Sequence, residues 1–472
     1  MIQLRPYQTE ILDEARALMR RGVRSLVIES PTGSGKTALT AMMVKTAVSR
    51  GINCWFLMHR SELLKQSMAT FRNVEVPFGV VASGFTLDPT QDVHLCSIGS
   101  LRKRMSRLAP PGLIIYDEAH HTAAKQWAEI RLAYPNAFHV GLTATPERLD
   151  GKGLSAYFSE IIHGPRVRWL IQNGYLSDYR LVIPPGGVDA TGVHKLAGDF
   201  NHAELAVVAD QPMIVGNAVR EYLKYARGKR AIARHVNIDL SKKLAAEFMA
   251  NGVPAIHVDG KTPRAQRDAA MDSFVRGETL VLTNVDLFSE GVDVPSVECV
   301  LDLRPTASLT LCLQFWGRGL RPSPGKTRAV LIDMAGNYRR HGLPCEPREW
   351  DLEGRKKRSK KVSVVTNTEC PACYGVFVGI FSVCPDCGED LSKGDGGART
   401  VEMRDGELVE VDLEAARALK FKKIEKWREI AKAKTLADFQ VLAEKFGYRS
   451  GWAYFRFRAY EAKKKKAQDM FR

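Results

Sequence analysis

Short apolar runs alternate with amphipathic stretches from about residue 26 to residue 331. Each run is almost continuously apolar, which is typical of parallel strands buried on both faces of a sheet. The first five runs read SLVIES, CWFLMH, VHLCSI, GLIIYDE and FHVGLTAT. Residues 38–50 and 61–71 carry helical spacing between these runs. This alternation predicts an α/β domain with a doubly wound parallel sheet.

A second set of apolar runs follows: RAIARH, AIHVDG, TLVLTN, CVLDLR and AVLIDM. Helical spacing separates these runs too, as in residues 241–251 and 263–276. Between the two sets, residues 164–216 contain the sequence PPGG and then Gly192, which interrupt the pattern. We therefore expect two α/β domains in tandem.

Composition and charge narrow the class of protein. The chain has 472 residues, of which 45% are hydrophobic and 26% charged, as in ordinary globular proteins. The sequence has no continuous apolar run long enough to span a membrane and no apolar signal-peptide core at the N-terminus, so we expect no membrane association. The net charge of +16 favours a polyanionic partner, most simply a nucleic acid.

A candidate phosphate-binding loop follows the first apolar run, in the sequence ESPTGSGKT. Glycines allow backbone N–H groups to turn toward phosphate, and the following helix adds partial positive charge. Lys36 would reach the β and γ phosphates of ATP, and Thr37 would hold Mg²⁺. Ser30 stands where the usual pattern has its first glycine, and a small residue can fit there. The candidate nucleotide ligands are Thr32, Gly33, Ser34, Gly35, Lys36 and Thr37.

A pair of carboxylates, Asp117 and Glu118, follows the apolar run GLIIY. At the carboxyl end of a strand, Asp117 would hold Mg²⁺ through water, and Glu118 would orient and deprotonate the attacking water. On its own the pair would be better explained as a cap of the next helix. Beside a phosphate loop, the catalytic interpretation is favoured.

Seven sequence blocks together resemble the DEAD/DEAH helicases of superfamily two, in the branch of type III restriction-enzyme motor subunits and phage or prophage helicases. The blocks occur in the order LRPYQ, PTGSGKT, HRSELLKQ, DEAH, LTATPER, TNVDLFSEGVDVP and QFWGRGLRP, within about residues 1–333. The resemblance implies two RecA-like P-loop NTPase domains with parallel sheets flanked by helices.

The resemblance implies a role for each matching residue. Gln8, with Arg5 nearby, would read the adenine edge of ATP. His59 and Arg60 would contact the nucleic-acid backbone. His120 and the TAT segment, with Thr143 and Thr145, would couple hydrolysis to the strand groove. In the second domain, Gly291 and Asp293 would approach the ribose, and the arginine-finger block would supply Gln314, Arg318 and Arg321.

The implied mechanism is hydrolysis of ATP in the cleft between the domains, with each cycle of closure and opening changing the grip on a strand. We expect an ATP-dependent DNA helicase or translocase. An ATP-switched nucleic-acid clamp with little unwinding, or an RNA helicase, stay open as alternatives. The resemblance also implies a cytoplasmic protein of a bacterial cell, encoded by a phage or by the chromosome, with replication or recombination proteins as partners.

Four late cysteines form a C-x2-C-x10-C-x2-C pattern: Cys370, Cys373, Cys384 and Cys387. Two such pairs at this separation predict a zinc ribbon in which four thiolates enclose Zn²⁺. Its role could be DNA contact or stabilisation of a small fold. The other cysteines lie mostly in apolar runs and are expected to be core residues.

The C-terminal tail combines a predicted helix at residues 437–446 with interleaved aromatic and arginine residues, ending in KKKK. We expect Trp452 and Phe455 to belong to a small core, with nucleic-acid stacking as the alternative. The expected domain ranges are 1–165 for the ATP-binding domain, 166–215 for a linker, 216–345 for the second domain, 346–365 for a basic linker, 366–395 for the zinc ribbon and 410–472 for the basic tail.

Overall fold

The computed structural model describes most of the first 354 residues and three shorter stretches beyond them. The described ranges are 3–59, 61–121, 125–148, 151–185, 187–196, 198–287, 297–354, 367–379, 381–391 and 435–445, with Ala453 and Phe457. The chain divides into two compact units, one of Met1–Ser363 with Tyr374–Val376 and one of Val364–Cys373 with Phe377–Arg472. Among the described residues, no helix combines the length and apolarity of a membrane span.

The first unit begins with a parallel sheet in the order β3-β4-β2-β5-β6-β1-β7. Its strands are β1 (Ser25–Glu29), β2 (Cys54–Met58), β3 (Gly79–Val81), β4 (Val93–Ser97), β5 (Leu113–Asp117), β6 (Phe138–Thr143) and β7 (Glu160–His163). All residues of β1, β2 and β5 are buried, because helices cover both faces of the sheet. The five apolar runs predicted as strands are therefore confirmed.

Helices connect these strands and cover the sheet. They are α1 (Pro6–Arg20), α2 (Lys36–Val48), α3 (Ser61–Asn73), α4 (Ile98–Arg102), α5 (Lys125–Ala133) and α6 (Val167–Gln172). Helix α2 starts two residues earlier than predicted, since Gly35 adopts a left-handed conformation and acts as its N-cap. The carboxyl ends of β1, β6 and β5 are adjacent, which brings the phosphate loop and the carboxylate pair to one edge.

A second sheet in the same unit has six parallel strands in the order β12-β13-β11-β14-β15-β8, and residues 375–376 pair antiparallel with β8. Its strands are β8 (Asp178–Val182), β11 (Ala231–Arg234), β12 (Ala255–His257), β13 (Val281–Asn284), β14 (Cys299–Asp302) and β15 (Arg328–Asp333), and a hairpin of β9 (Lys195–Leu196) and β10 (Asp199–Phe200) lies outside it. The second set of predicted strands is confirmed. Strand β8 was not predicted, and it lies inside the range 166–215 that was expected to be a linker.

The helices of the second sheet include α11, which carries the arginine-finger block. They are α7 (His202–Ala209), α8 (Pro212–Tyr225), α9 (Ile238–Ala250), α10 (Arg264–Arg276), α11 (Leu309–Gly319) and α12 (Asn337–His341). Helix α11 begins where the Ser308 side chain accepts a hydrogen bond from the Leu311 N–H, at 3.3 Å. It packs against β14 and β15.

A buried ion pair holds α11 on the second sheet. Asp302, the last residue of β14, accepts two hydrogen bonds from the guanidinium of Arg234, at 3.1 and 2.9 Å. Both side chains are fully buried. The same carboxylate accepts hydrogen bonds from Trp316 Nε1 and from Asn337 Nδ2, each at 3.0 Å. The Asp302 carboxylate thus joins β11, α11 and α12, and these hydrogen bonds satisfy its buried oxygen atoms.

The chain passes between the two sheets twice. After β7 it crosses through residues 164–177 to reach β8, and after α12 it returns along residues 342–354 to the first sheet. There Ser155 N donates to Leu352 O at 2.8 Å, and Lys152 forms a bridge with Gly354. Gly354 approaches Gly153 so closely that a Cβ on Gly153 would overlap the backbone. A cavity of about 430 Å³ lies beside both crossings, lined by residues including Thr32, Gly164, Gly317 and Trp350.

The second unit contains the cysteine module and a helix, α13 (Leu436–Lys445). The predicted helix at 437–446 is thereby confirmed to within one residue. Phe439 and Leu442 on this helix are buried together with Ala453, and the ring of Phe457 lies 6.4 Å from that of Phe439. Trp452, Phe455 and the KKKK end lie outside the described residues, so their interpretation stays a prediction.

We predict that Arg234→Met destabilises the protein strongly. It leaves the buried Asp302 carboxylate without its counter-charge, which costs about 3–5 kcal/mol of unfolding free energy. The matched control is Arg276→Met, since Arg276 pairs with Glu278 at the surface and its loss should not change stability. Guanidinium chloride unfolding, followed by circular dichroism, measures both. Equal unfolding midpoints for the two variants would contradict the importance of the buried pair.

Candidate functional site

The phosphate-binding loop joins β1 to α2. Gly33 and Gly35 have φ angles of +86° and +83°, a conformation that only glycine adopts without strain. Lys36 is the first residue of α2, and its ammonium donates to the carbonyls of Ser30 and Pro31 at 3.1 and 3.4 Å. Burial lowers the pKa of Lys36. The loop therefore offers N–H groups, a helix N-terminus and one cation at a single point.

Ser30 fits where the usual pattern has glycine. Its hydroxyl and that of Ser34 are hydrogen-bonded at 2.6 Å, so the two ends of the loop are joined across its base. This arrangement requires a residue without a side chain at Gly164. A Cβ there would lie 3.0 Å from the Ser30 hydroxyl and 2.7 Å from the Glu29 carbonyl oxygen. The serine supplies a hydrogen bond that glycine could not.

Helix α1 holds the loop from the other side. Tyr7 donates its hydroxyl to the Ser34 carbonyl at 2.6 Å, and Gln8 Nε2 donates to the carbonyls of Ser34 and Gly35 at 3.0 and 3.2 Å. The amide oxygen of Gln8 accepts from the N–H of Arg5 at 2.9 Å. Sequence reasoning missed Tyr7, although it stands next to Gln8 in LRPYQ. The predicted role of Gln8 and Arg5 at adenine stays a prediction.

The two carboxylates lie at the carboxyl end of β5, as predicted. Asp117 is the last residue of that strand and is buried. Burial, and then the neighbouring Glu118 carboxylate, raise the pKa of Asp117 to about 7. Glu118 has a φ of +51°, which is unusual for a residue with a side chain, and strained backbone of this kind clusters at functional sites. A cation beside this pair would stabilise both ionised carboxylates.

Helix α11 completes the site from the second sheet. Gln314 Nε2 donates to Glu118 Oε2 at 3.2 Å, and Gln314 is 1% exposed. The Oε1 atom of Gln314 is buried and has no hydrogen-bond partner among the described residues. Arg318 is also buried on this helix. Gln314, which the resemblance assigns to the arginine-finger block, therefore contacts the carboxylate predicted to orient water.

The approach of α11 to the phosphate loop is very close. A Cβ on Gly317 would lie 2.7 Å from Thr32 Cβ, so only glycine fits between them. Arg321 follows the helix, and its Cγ lies 3.4 Å from where a Cβ on Gly33 would be. Burial lowers the pKa of Arg321 to about 10, which still leaves the guanidinium charged near neutral pH. Arg321 is thus brought beside the loop predicted to bind phosphate.

A row of three histidines leads away from the carboxylates. His120 Nδ1 lies 3.5 Å from Glu118 Oε2 and 3.1 Å from Thr143 Oγ1. The ring of His121 lies 4.3 Å from that of His120 and 4.6 Å from that of His59, which precedes α3. Sequence reasoning singled out His59 and His120 but missed His121, which joins them. The site is thereby connected to the start of α3.

The TAT segment is part of this connection and is buried. Thr143 Oγ1 donates to the carbonyl of Thr145 at 2.9 Å and accepts from its N–H at 3.1 Å. The side chains of both threonines are fully buried, and their predicted role in coupling stays a prediction. Arg60, Gly291 and Asp293 lie outside the described residues, and their roles stay predictions.

The four cysteines of the second unit form one cluster. Their Sγ atoms lie within 4.8 Å of one another, with Cys370–Cys387 and Cys373–Cys384 separations of 3.7 Å. Tetrahedral zinc with bonds of about 2.3 Å requires sulfur–sulfur separations of about 3.8 Å. The thiol geometry therefore fits such an ion. Of the other cysteines, Cys54, Cys96, Cys299 and Cys312 are buried and Cys345 is partly buried.

Two family descriptions match the chain. "Type III restriction enzyme, res subunit" matches residues 1–148, and "Helicase conserved C-terminal domain" matches residues 215–323. These ranges contain the phosphate loop with the carboxylates, and helix α11 with Arg321, respectively.

Similar proteins come from phages and fungi. A "51.5 kDa protein" of a Lactococcus phage is 34% identical over 414 residues, covering 86% of this chain and 88% of the phage protein. A Schizosaccharomyces pombe protein, provisionally named mitochondrial ATP-dependent helicase irc3, is 29% identical over 73% of this chain and 59% of its own length. This chain therefore spans less than two thirds of the fungal relative.

A solved structure shares the fold. The ATP-dependent Type ISP restriction-modification enzyme LlaBIII bound to DNA superposes with a TM-score of 0.52 and 18% identity, over 70% of this chain and 28% of that enzyme.

We predict that Gly317→Ala lowers ATP turnover about 5- to 150-fold, the equivalent of about 1–3 kcal/mol of overpacking against Thr32. Gly216→Ala is the matched control, because a Cβ there meets no atom within 4 Å. Alanine favours a helix at both positions, so only the clash distinguishes the two variants. Turnover is measured on both purified proteins at saturating ATP. A Gly317→Ala protein as active as Gly216→Ala would mean that the close approach is dispensable.

Proposed function

Because the chain belongs to the superfamily-two helicases that combine a restriction-enzyme res-subunit domain with a helicase C-terminal domain, we propose that hydrolysis of ATP between its two α/β domains drives movement along DNA. The observation that carries this proposal is the hydrogen bond between Gln314 and Glu118. It joins the proposed water-orienting carboxylate of one domain to the finger helix of the other. Hydrolysis at this point is therefore tied to closure of the domains.

The proposed binding of ATP uses the loop between β1 and α2. The N–H groups around Gly33 and Gly35 face phosphate, and Lys36 exchanges its carbonyl partners for phosphate oxygens. Thr37 and Asp117 would hold Mg²⁺, which neutralises charge on the phosphates. The raised pKa of Asp117 fits this role, since a buried carboxylate pair needs a compensating cation.

The proposed chemistry assigns one task to each side chain of the cleft. Glu118 accepts a proton from the attacking water, and Gln314 fixes the orientation of that carboxylate. Arg318 on α11, and Arg321 just beyond the end of that helix, stabilise negative charge that develops on the transferred phosphoryl group. Arginine suits this task, because its charge persists even where burial lowers its pKa.

The proposed coupling runs through the histidine row. A change in the position of Glu118 on hydrolysis displaces His120. The displacement then passes to His121 and to His59 at the start of α3. The resemblance places a contact with the nucleic-acid backbone at the N-terminus of α3. A packed row of rings can carry such a displacement because protein interiors are close-packed.

DNA is the proposed track. The net charge of +16 favours a polyanion, and the similar enzyme LlaBIII is described as bound to DNA. Contacts to the nucleic-acid backbone scarcely distinguish DNA from RNA. The choice of DNA therefore rests on the family resemblance and requires a direct test.

We predict that DNA stimulates ATP turnover and that Glu118→Gln lowers the stimulated rate by at least about 100-fold, since the variant lacks the proposed base. Turnover of both proteins is measured with single-stranded DNA, duplex DNA and RNA of matched length. Glu10→Gln, an exposed position on α1, is the control for the same chemical change. Stimulation by RNA alone would reassign the track.

A strand-displacement assay on the same proteins separates a motor from a clamp. Unwinding or translocation that requires ATP supports the motor. ATP-dependent retention on DNA without displacement or translocation would instead support the ATP-switched clamp.

The cysteine cluster is proposed to bind a structural zinc ion. Four thiolates leave no open position for a substrate, so the ion would stabilise the fold of the module rather than take part in ATP hydrolysis.

We predict about one zinc ion per purified chain, as the four-thiolate geometry requires. Cys370→Ser should lower the zinc content and make residues 367–391 sensitive to protease, because metal binding supplies folding energy. Cys345→Ser, outside the cluster, should retain the metal. Zinc content is measured by plasma mass spectrometry. Full zinc content in Cys370→Ser would contradict the assignment.

A further inference from the structure

The end of helix α11 exposes backbone carbonyls directly before Arg321. The last carbonyls of a helix have no partner within the helix and need donors from elsewhere. Helix α11 ends at Gly319, and the chain then turns through the sequence PSPG, with Gly325 at a φ of +77°. This turn returns the chain to the end of the helix.

Lys326 supplies the donors at this point. Its Nζ atom donates to the carbonyl of Val297 at 2.6 Å, to that of Arg321 at 2.8 Å and also to that of Gly319. An ammonium has three N–H donors, and here each has one carbonyl acceptor. The positive charge also suits the negative end of the helix dipole.

The same backbone is held from the opposite side by Ser177, which precedes β8. Its N–H donates to the Leu320 carbonyl at 2.8 Å, and its hydroxyl donates to the Arg321 carbonyl at 3.3 Å. The three consecutive carbonyls of residues 319–321 are therefore all bonded. The preceding residue, Leu176, lies against the phosphate loop, since a Cβ on Gly33 would meet its Cδ2 at 2.9 Å.

Val297 extends the connection beyond α11. It stands just before β14, directly after residues 288–296, where the resemblance places the contacts of Gly291 and Asp293. One ammonium thus ties Val297 to the backbone that carries the proposed arginine finger.

We propose that Lys326 is a positioning residue for ATP hydrolysis, whose ammonium fixes the backbone on which Arg321 stands beside the phosphate loop. The inference rests on the proposed role of Arg321 and assigns Lys326 a role through that arginine only. Neither methionine nor arginine can replace it: methionine has no donors, and the planar guanidinium cannot converge on three carbonyls from one atom.

The surroundings of Lys326 make its charge sensitive to pH. Burial lowers its pKa to about 8, Glu298 favours the charged form, and Lys229 and Arg321 disfavour it. Below pH 8 the ammonium offers three donors, and above it the neutral amine offers only two. The positioning contact should therefore weaken as the pH rises through about 8.

The first test is Lys326→Met, measured by DNA-stimulated ATP turnover. We expect kcat to fall about 10- to 100-fold, as for a misplaced catalytic group, and KM for ATP to change less than about threefold. Lys242→Met, an exposed lysine on α9, is the matched control and should retain full activity. A normal kcat in Lys326→Met would overturn the proposal.

The second test is a double-mutant cycle with Arg321→Ala. If Lys326 acts through Arg321, adding Lys326→Met to Arg321→Ala should lower kcat by less than about twofold further. An equal loss in both backgrounds would overturn the positioning role and leave the proposed function intact. An Arg321→Ala protein with normal kcat would instead refute the role of Arg321 itself.

If Lys326→Met fails to fold, the pH dependence of kcat tests the role of Lys326 instead. Wild-type kcat should fall as the pH is raised from 7 to 9, through the value of about 8, while Lys326→Arg should lack that fall. A descending limb shared by wild type and Lys326→Arg would show that another group titrates and would overturn the proposal.

Discussion

Helix α11 reaches the phosphate loop because residue 317 carries no side chain. This contact sets the distance between the two sheets, and the other contacts across the cleft depend on it. Gln314 lies three residues before Gly317, so helical periodicity turns both toward the same surface. This helical face meets the phosphate loop at Thr32 and the carboxylate of Glu118, and Arg321, just beyond the end of the helix, lies beside Gly33.

The opposite side of α11 is fixed by buried charges. Asp302 binds Trp316, the neighbour of Gly317, and Lys326 binds the carbonyls at the helix end. Burying these charges is costly, and the hydrogen bonds offset that cost only when their geometry is kept. Such groups add little net stability, but they strongly disfavour any other position of the helix. A helix that approaches a phosphate loop this closely benefits from that restriction.

The sequence predicted those parts of the structure that depend on neighbouring residues. Continuous apolar runs identified ten strands of the two sheets, and the loop at Lys36 and the carboxylates at strand ends followed from local pattern. Strand β8 was missed because its sequence, DYRLV, is half polar and lies in a segment interrupted by prolines and glycines.

Contacts between distant residues were not predictable. Tyr7 binds a carbonyl 27 residues away, Arg234 pairs with a residue 68 positions later, and Gln314 meets a carboxylate 196 positions earlier. No local periodicity encodes such pairs. Family resemblance identified Gln314. No sequence pattern identifies Lys326 or His121, whose contacts are seen only in the folded structure.

The two crossings between the sheets define how the cleft can open. One connection runs through residues 164–177, and the return along residues 342–354 is fastened to the first sheet at Ser155 and Lys152. Two bodies joined at two points rotate most easily about the line through those points, and twisting across that line would stretch one connection. The cavity of about 430 Å³ has walls from both bodies. The volume of this cavity should therefore change as the angle between the two bodies changes.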